Sequence, residues 1–236
     1  MKKIILTVVL CVLTLNTALA QFDTAMFVSD VFLLDNYIKR QNNGINFKDT
    51  KTYRGTPYNN PNFLPGNIYK EGTLLADNIA IRYNAVADEM EVKQTLSSND
   101  ENARVLTKSQ DIYVKIIEDI YVFVPYQGGV ENGGYFQVIF EGSKTALYKK
   151  HIKDFKPEKK ATSSITKTLP PVFKDKPVFY LVTKSGKFYQ MPKSRSKKLK
   201  VFGEKQNQMK AFTKQNNLDL NKQEDLLKAI IYFDTL

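Results

Sequence analysis

Ile79-Ala80-Ile81-Arg82-Tyr83-Asn84, followed after Ala85-Val86-Ala87 by Asp88-Glu89-Met90-Glu91-Val92-Lys93, is the stretch that decides the fold. Ile79, Ile81 and Tyr83 alternate with Ala80, Arg82 and Asn84, and Met90 and Val92 alternate with Glu89, Glu91 and Lys93. Strand side chains point alternately to opposite faces, so a period of two marks two half-buried strands, each with an apolar and a polar side. The residues between them, 84–88, are too few for a crossover connection, and the pair is therefore antiparallel.

The same pattern spreads outward. Residues 112–117 and 120–125 flank Glu118 and Asp119; residues 135–140 and 145–148 flank Glu141-Gly142-Ser143-Lys144; residues 178–183 and 188–191 flank Lys184-Ser185-Gly186-Lys187. Each is a hairpin signal, and strands at this close spacing point to a mainly β (α+β) fold, an antiparallel β sandwich or barrel-like sheet. Helical spacing follows at 197–202, 204–215 and 222–233, a basic C-terminal segment of two to three short helices, with Asn221 as N-cap and Glu224 completing a capping box. Upstream, residues 22–38 carry helix-like spacing, and residues 42–66 are rich in Asn, Gly and Pro, the chemistry of an extended loop. The expected organisation is a signal peptide at 1–20, an N-terminal helix and extended segment at 21–66, an antiparallel β domain at 67–156, a linker or long loop at 157–177, and a hairpin with helices at 178–236 packed on the β domain.

Residues 1–20 join Lys2 and Lys3 to an apolar run at 4–15 and to Ala18-Leu19-Ala20 before Gln21. That is the pattern of a cleavable signal peptide. A spanning helix takes about 20 apolar residues, so this run predicts no transmembrane span in the mature chain. Cys11 lies inside the run behind Leu10, a poor context for lipid attachment. Cleavage after Ala20 removes this lone cysteine, which excludes disulfides and thiol nucleophiles from the exported form.

Charge is unevenly placed. Residues 21–143 hold 11 Lys and Arg against 16 Asp and Glu, net −5, whereas residues 144–236 hold 22 against 8, net +14. In an exported protein, periplasmic, outer-envelope-associated or secreted, a basic half meets lipid headgroups or acidic glycans and no nucleic acid.

The run Pro57-Tyr58-Asn59-Asn60-Pro61-Asn62-Phe63-Leu64-Pro65-Gly66-Asn67-Ile68-Tyr69, with Ile81-Arg82-Tyr83-Asn84, Asp88-Glu89-Met90-Glu91 and Gly134-Tyr135-Phe136, resembles a family of uncharacterised exported bacterial proteins over about residues 56–236. The resemblance implies export and a shared fold, and it carries over no catalytic residue.

Among candidate sites, the sharpest is the basic cluster Lys193, Arg195, Lys197, Lys198 and Lys200, running into a helix with Leu199, Val201 and Phe202, an arrangement suited to an anionic surface. Asp88, Glu89 and Glu91 form the densest acidic cluster. Glu89 and Glu91 share a strand face, where they could act on a glycosidic bond or simply form the wet side of an amphipathic strand. His151 is the one histidine, and a general base needs an orienting partner; otherwise it is a structural residue. Gly128, Gly129, Gly133 and Gly134 lack the Gly-Lys-Ser/Thr ending of a phosphate loop and read as a hairpin loop. The aromatics Tyr113, Tyr121, Phe123, Tyr126, Tyr135, Phe136, Phe140 and Tyr148 read as sheet core. No cofactor or metal is implied. The expected role is a non-enzymatic, envelope-associated binding or structural protein that contacts an anionic envelope component or a protein partner. The alternative is a hydrolase of cell-wall or extracellular polymer working through Glu89, Glu91 or His151.

Overall fold

Alternating residues form thirteen strands among the described residues: β1 (Ile38–Lys39), β2 (Leu64–Lys70), β3 (Thr73–Asn84), β4 (Glu89–Lys93), β5 (Arg104–Leu106), β6 (Ile112–Ile116), β7 (Asp119–Val124), β8 (Gly134–Glu141), β9 (Thr145–Lys150), β10 (Lys153–Lys156), β11 (Val172–Asp175), β12 (Val178–Thr183) and β13 (Phe188–Gln190). The computed structural model describes residues 38–39, 53–125, 133–163 and 165–236. The expected signal peptide, the helix expected at 22–38 (Ile38 apart) and most of the glycine loop lie outside them. Three helices close the fold: α1 (Arg195–Lys200), α2 (Gln206–Gln215) and α3 (Gln223–Thr235).

Eleven of the strands form one antiparallel sheet in the order β1-β5-β4-β3-β2-β6-β7-β8-β9-β12-β13, and β10 and β11 make a separate ribbon. The pair expected at 79–93 has Tyr83 opposite Met90 and Arg82 opposite Glu91. In a flat sheet β5 and β6 would lie four strand spacings apart, roughly 19 Å. Yet residues 107–111 join them, and that link is itself a turn, with Ile112 N donating to the Ser109 carbonyl. The sheet therefore coils enough for β5 and β6 to turn their apolar side chains into one interior. One apolar cluster confirms this, uniting Leu106 of β5 with Ile112 and Val114 of β6 and with Ile68, Ile81, Tyr83 and Met90.

The second half of the sheet carries the helices. On β9 and β12, Leu147 and Leu181 face one side and pack with Leu199, Phe202, Met209, Leu226 and Ile230 of the helical layer. Ala146, Tyr180 and Val182 face the other, with Phe136 and Phe188. Residues 157–177, expected as a linker, include strand β11, and the chain bridges back at Lys159 and Leu169 before β12 pairs with β9 over residues 178–183 and 145–150. The strands before and after this excursion thus share one sheet.

Helix α3 is locked to the sheet by Asp234. Its carboxylate accepts hydrogen bonds from Ser143 N at 2.9 Å, Lys144 N at 2.8 Å and Thr145 N at 2.6 Å, and from the Ser143 and Thr145 hydroxyls. A Cβ on Gly142 would collide with that carboxylate, so this turn position requires glycine. Burial raises the carboxyl pKa, but the backbone donors of Lys144, Thr145 and Ser143 outweigh it and hold Asp234 well below the usual carboxylate range. A group depressed on folding stabilises the fold above its unfolded pKa, near 3.9, and that stability drains as pH falls. Asp234→Ala is expected to destabilise by about 1–2 kcal/mol at pH 7, allowing for solvent screening. Urea midpoints at pH 7 and pH 3 check it, because the difference between variant and wild type must shrink at the lower pH.

Candidate functional site

The polar sides of β3 and β4, read from sequence as wet, are covered. The segment at 53–63 folds across them: Tyr58 bridges to Asn84, and the Arg82 guanidinium carbon lies 3.8 Å from the centre of the Tyr58 ring and 4.1 Å from that of the Phe63 ring. Beneath, Arg82 Nε and Nη2 donate to Glu91 Oε2 at 3.1 and 2.7 Å, and Asn84 Nδ2 donates to Glu91 Oε1 at 3.2 Å. Lys93 satisfies all three ammonium hydrogens, on the Leu96 and Ser98 carbonyls and on Asp100 Oδ1. The Glu91 side chain is 6% exposed and that of Arg82 is 12% exposed, so this is a buried charge network.

Asp88 faces elsewhere. It ends the β3–β4 turn at φ 56°, a left-handed conformation that aspartate tolerates better than most residues. Its Oδ1 accepts from the Tyr83 hydroxyl at 2.7 Å and from Tyr135 N at 3.0 Å, and Lys108 approaches Oδ2 at 3.4 Å. Gly134, at φ 139°, passes so close that a Cβ there would strike the Asp88 carboxylate and Lys150 Nζ. Burial, then the Asp88 charge, pushes the Tyr83 phenol well above its ordinary range. Of the acidic cluster, Glu91 is thus bound to Arg82, and Asp88 ties β3 to β8.

His151 follows β9. Gln137 gives its Nε2 hydrogen to Asp119 Oδ1 at 2.8 Å, which leaves the Gln137 oxygen to face His151 Nε2 at 2.7 Å. A carboxylate only accepts, so this chain fixes Nε2 as the protonated nitrogen of the imidazole and leaves Nδ1 as the acceptor. Tyr83 and Tyr121 pack on the ring, each with centroids 6.1 Å away. Burial, reinforced by Lys149 and Lys153, pulls the His151 pKa down to about 4 against the pull of Asp175. A base so weak is a poor general base at neutral pH. The ring lines a cleft of about 220 Å³ with Asn59, Lys149, Ile152, Asp175 and Pro177. Apart from His151, these residues escaped the sequence reading: positions 59, 149 and 175 come together only through the fold.

Of the basic cluster, Lys193, Arg195, Lys197 and Lys200 are exposed, whereas Lys198 is buried. Its ammonium donates to the Leu220 carbonyl at 2.7 Å and to Asn221 Oδ1 at 2.8 Å, fixing the approach to α3. Asn221 is thereby engaged, and α3 starts one residue later than expected, at an N-cap Lys222 that makes no side-chain cap. No family model, curated protein or solved structure matches the chain.

Two outcomes test this geometry. Glu91→Gln leaves the Arg82 charge with only the longer 3.5 Å contact to the exposed Asp100 and is expected to cost about 3 kcal/mol, measured as a fall in the urea midpoint. For His151, a folded pKa below the unfolded value near 6.5 means that stability is full above pH 6.5 and falls until about pH 4, by up to about 3 kcal/mol. His151→Gln is expected to flatten that part of the stability profile, and an unchanged slope between pH 6.5 and 4 would refute the assignment.

Proposed function

We propose that this chain is an exported, non-enzymatic envelope protein whose helical layer binds an anionic envelope surface. The observation that carries the reading is the set Lys193, Arg195, Lys197 and Lys200: all are exposed on or just before α1, and none has an ion-pair partner among the described residues. Cations without local counter-charge keep their field for a partner, and each contributes about 1 kcal/mol near an anionic bilayer. Lys210 and Lys214 extend the basic surface along α2. The engagement of Glu91 and Asp88 in structural bonds adds support, because a polymer hydrolase working through that cluster would need a free carboxylate pair.

The test is cosedimentation with phosphatidylcholine vesicles, with and without phosphatidylglycerol. Wild type is expected to bind the anionic vesicles at low salt and to release as salt screens the charges. Replacing Lys193, Arg195, Lys197 and Lys200 by Gln is expected to weaken binding at least tenfold. Lys198 is left intact, since its loss would disturb the fold. Equal binding by both forms would overturn the reading and direct attention to a protein partner.

A further inference from the structure

We propose that the cleft between Asn59, Lys149, His151 and Asp175 is a binding site for a short aliphatic carboxylate, with Lys149 as its cation. The Lys149 ammonium is half-buried, donates to Gln223 Oε1 at 3.0 Å and lies 5.9 Å from the Phe179 ring centre. Among the described residues no carboxylate stands within ion-pair distance of it. Asp119 and Asp175 act on this partly desolvated cation only from beyond ion-pair distance, so its contacts, a neutral amide and a ring face, bring it no negative charge, and burial lowers its pKa. A bound carboxylate supplies that charge.

The other walls define which anion fits. Asn59 gives one amide hydrogen to the Tyr121 hydroxyl at 3.0 Å and keeps a second for a ligand oxygen. Ile152 and Pro177 are apolar and suit a short hydrocarbon chain. Asp175, whose side chain is 73% exposed and held at 2.6 Å by Lys153, places a negative charge on the cleft wall. With Asp119, which also acts on Lys149 from a distance, the charges of Lys149, Lys153, Asp119 and Asp175 sum to zero, so a singly charged carboxylate is better tolerated than a phosphate dianion. Burial, with the charges of Lys149 and Lys153, keeps the His151 imidazole neutral against this wall, so it adds no further charge at pH 7.

Because the chain contains one histidine, its ring-proton NMR signals report on this cleft without assignment work. The experiment replaces sodium chloride by sodium propionate at constant ionic strength and pH 7, with sodium phosphate as comparison. Wild type is expected to give a saturable shift of the His151 signals with propionate, with phosphate at least tenfold weaker. Lys149→Gln is expected to abolish saturation, and Asn59→Ala to weaken it severalfold. A shift linear in propionate, a curve unchanged by Lys149→Gln, or tighter binding of phosphate would each overturn the proposal. The wild-type titration decides even if one variant fails to fold.

Discussion

Strand β4 and residues 79–84 of β3 are covered on both sides, and the rest of the molecule is arranged around that constraint. One side faces the coiled sheet's own interior, where Ile81, Tyr83, Met90 and Val92 pack. The other lies beneath Tyr58 and Phe63 and carries Arg82, Glu91 and Lys93. Charges cannot be taken out of water singly, so each must meet its complement before the cover closes. The cross-strand register that sets Arg82 opposite Glu91 does this for the first two, and the loop bearing Asp100 does it for Lys93. A slip of β4 by one residue would turn Glu91 and Lys93 into the interior and leave Arg82 beneath its cover without them.

Acidic and basic chemistry are consequently divided between two kinds of work. In the coiled half, carboxylates hold strands and loops together: Glu91 binds across β3 and β4, and Asp88 reaches the start of β8. In the helical half, most lysines of the α1 region stay in water, and Lys198 alone of that group folds inward to hold the turn before α3. The His151 cleft lies where the halves adjoin, with Asn59 arriving from the covering segment and Lys149 from β9.

The strand pairs around 79–93, 112–124, 134–150 and 178–190 were legible because their alternation and short polar turns are local signals. So were the three helices, to within a few residues at their ends. The burial of Arg82 and Glu91 was not. A polar residue on an alternating strand reads as solvent-facing unless its cover is known, and Tyr58 and Phe63 lie 33 and 28 positions from Glu91 in the sequence. Strand β11 was hidden for a related reason: Pro170, Pro171 and Pro177 surround it, and these proline signals outweigh four residues of strand. Lys198 shows the limit of reading charge runs, since nothing local distinguishes it from Lys197 or Lys200. The cleft was illegible in principle, because its members are brought together by sheet order rather than by spacing.

The clasp between Asp234 and the β8–β9 turn sets an order of events during synthesis. The carboxylate is 91 residues downstream of Ser143, which at ribosomal speeds of about 5–20 residues per second means a delay of roughly 5–18 s. For the first roughly 2–7 s of that interval, until residues 178–183 are made, β9 has no β12 beside it, and its row of amides and carbonyls is open to any passing strand. Lys149 and Lys150 stand on that edge, and like charges on two nascent chains repel one another. The lysines that later line the cleft and the sheet end thereby act first as guards against mispairing.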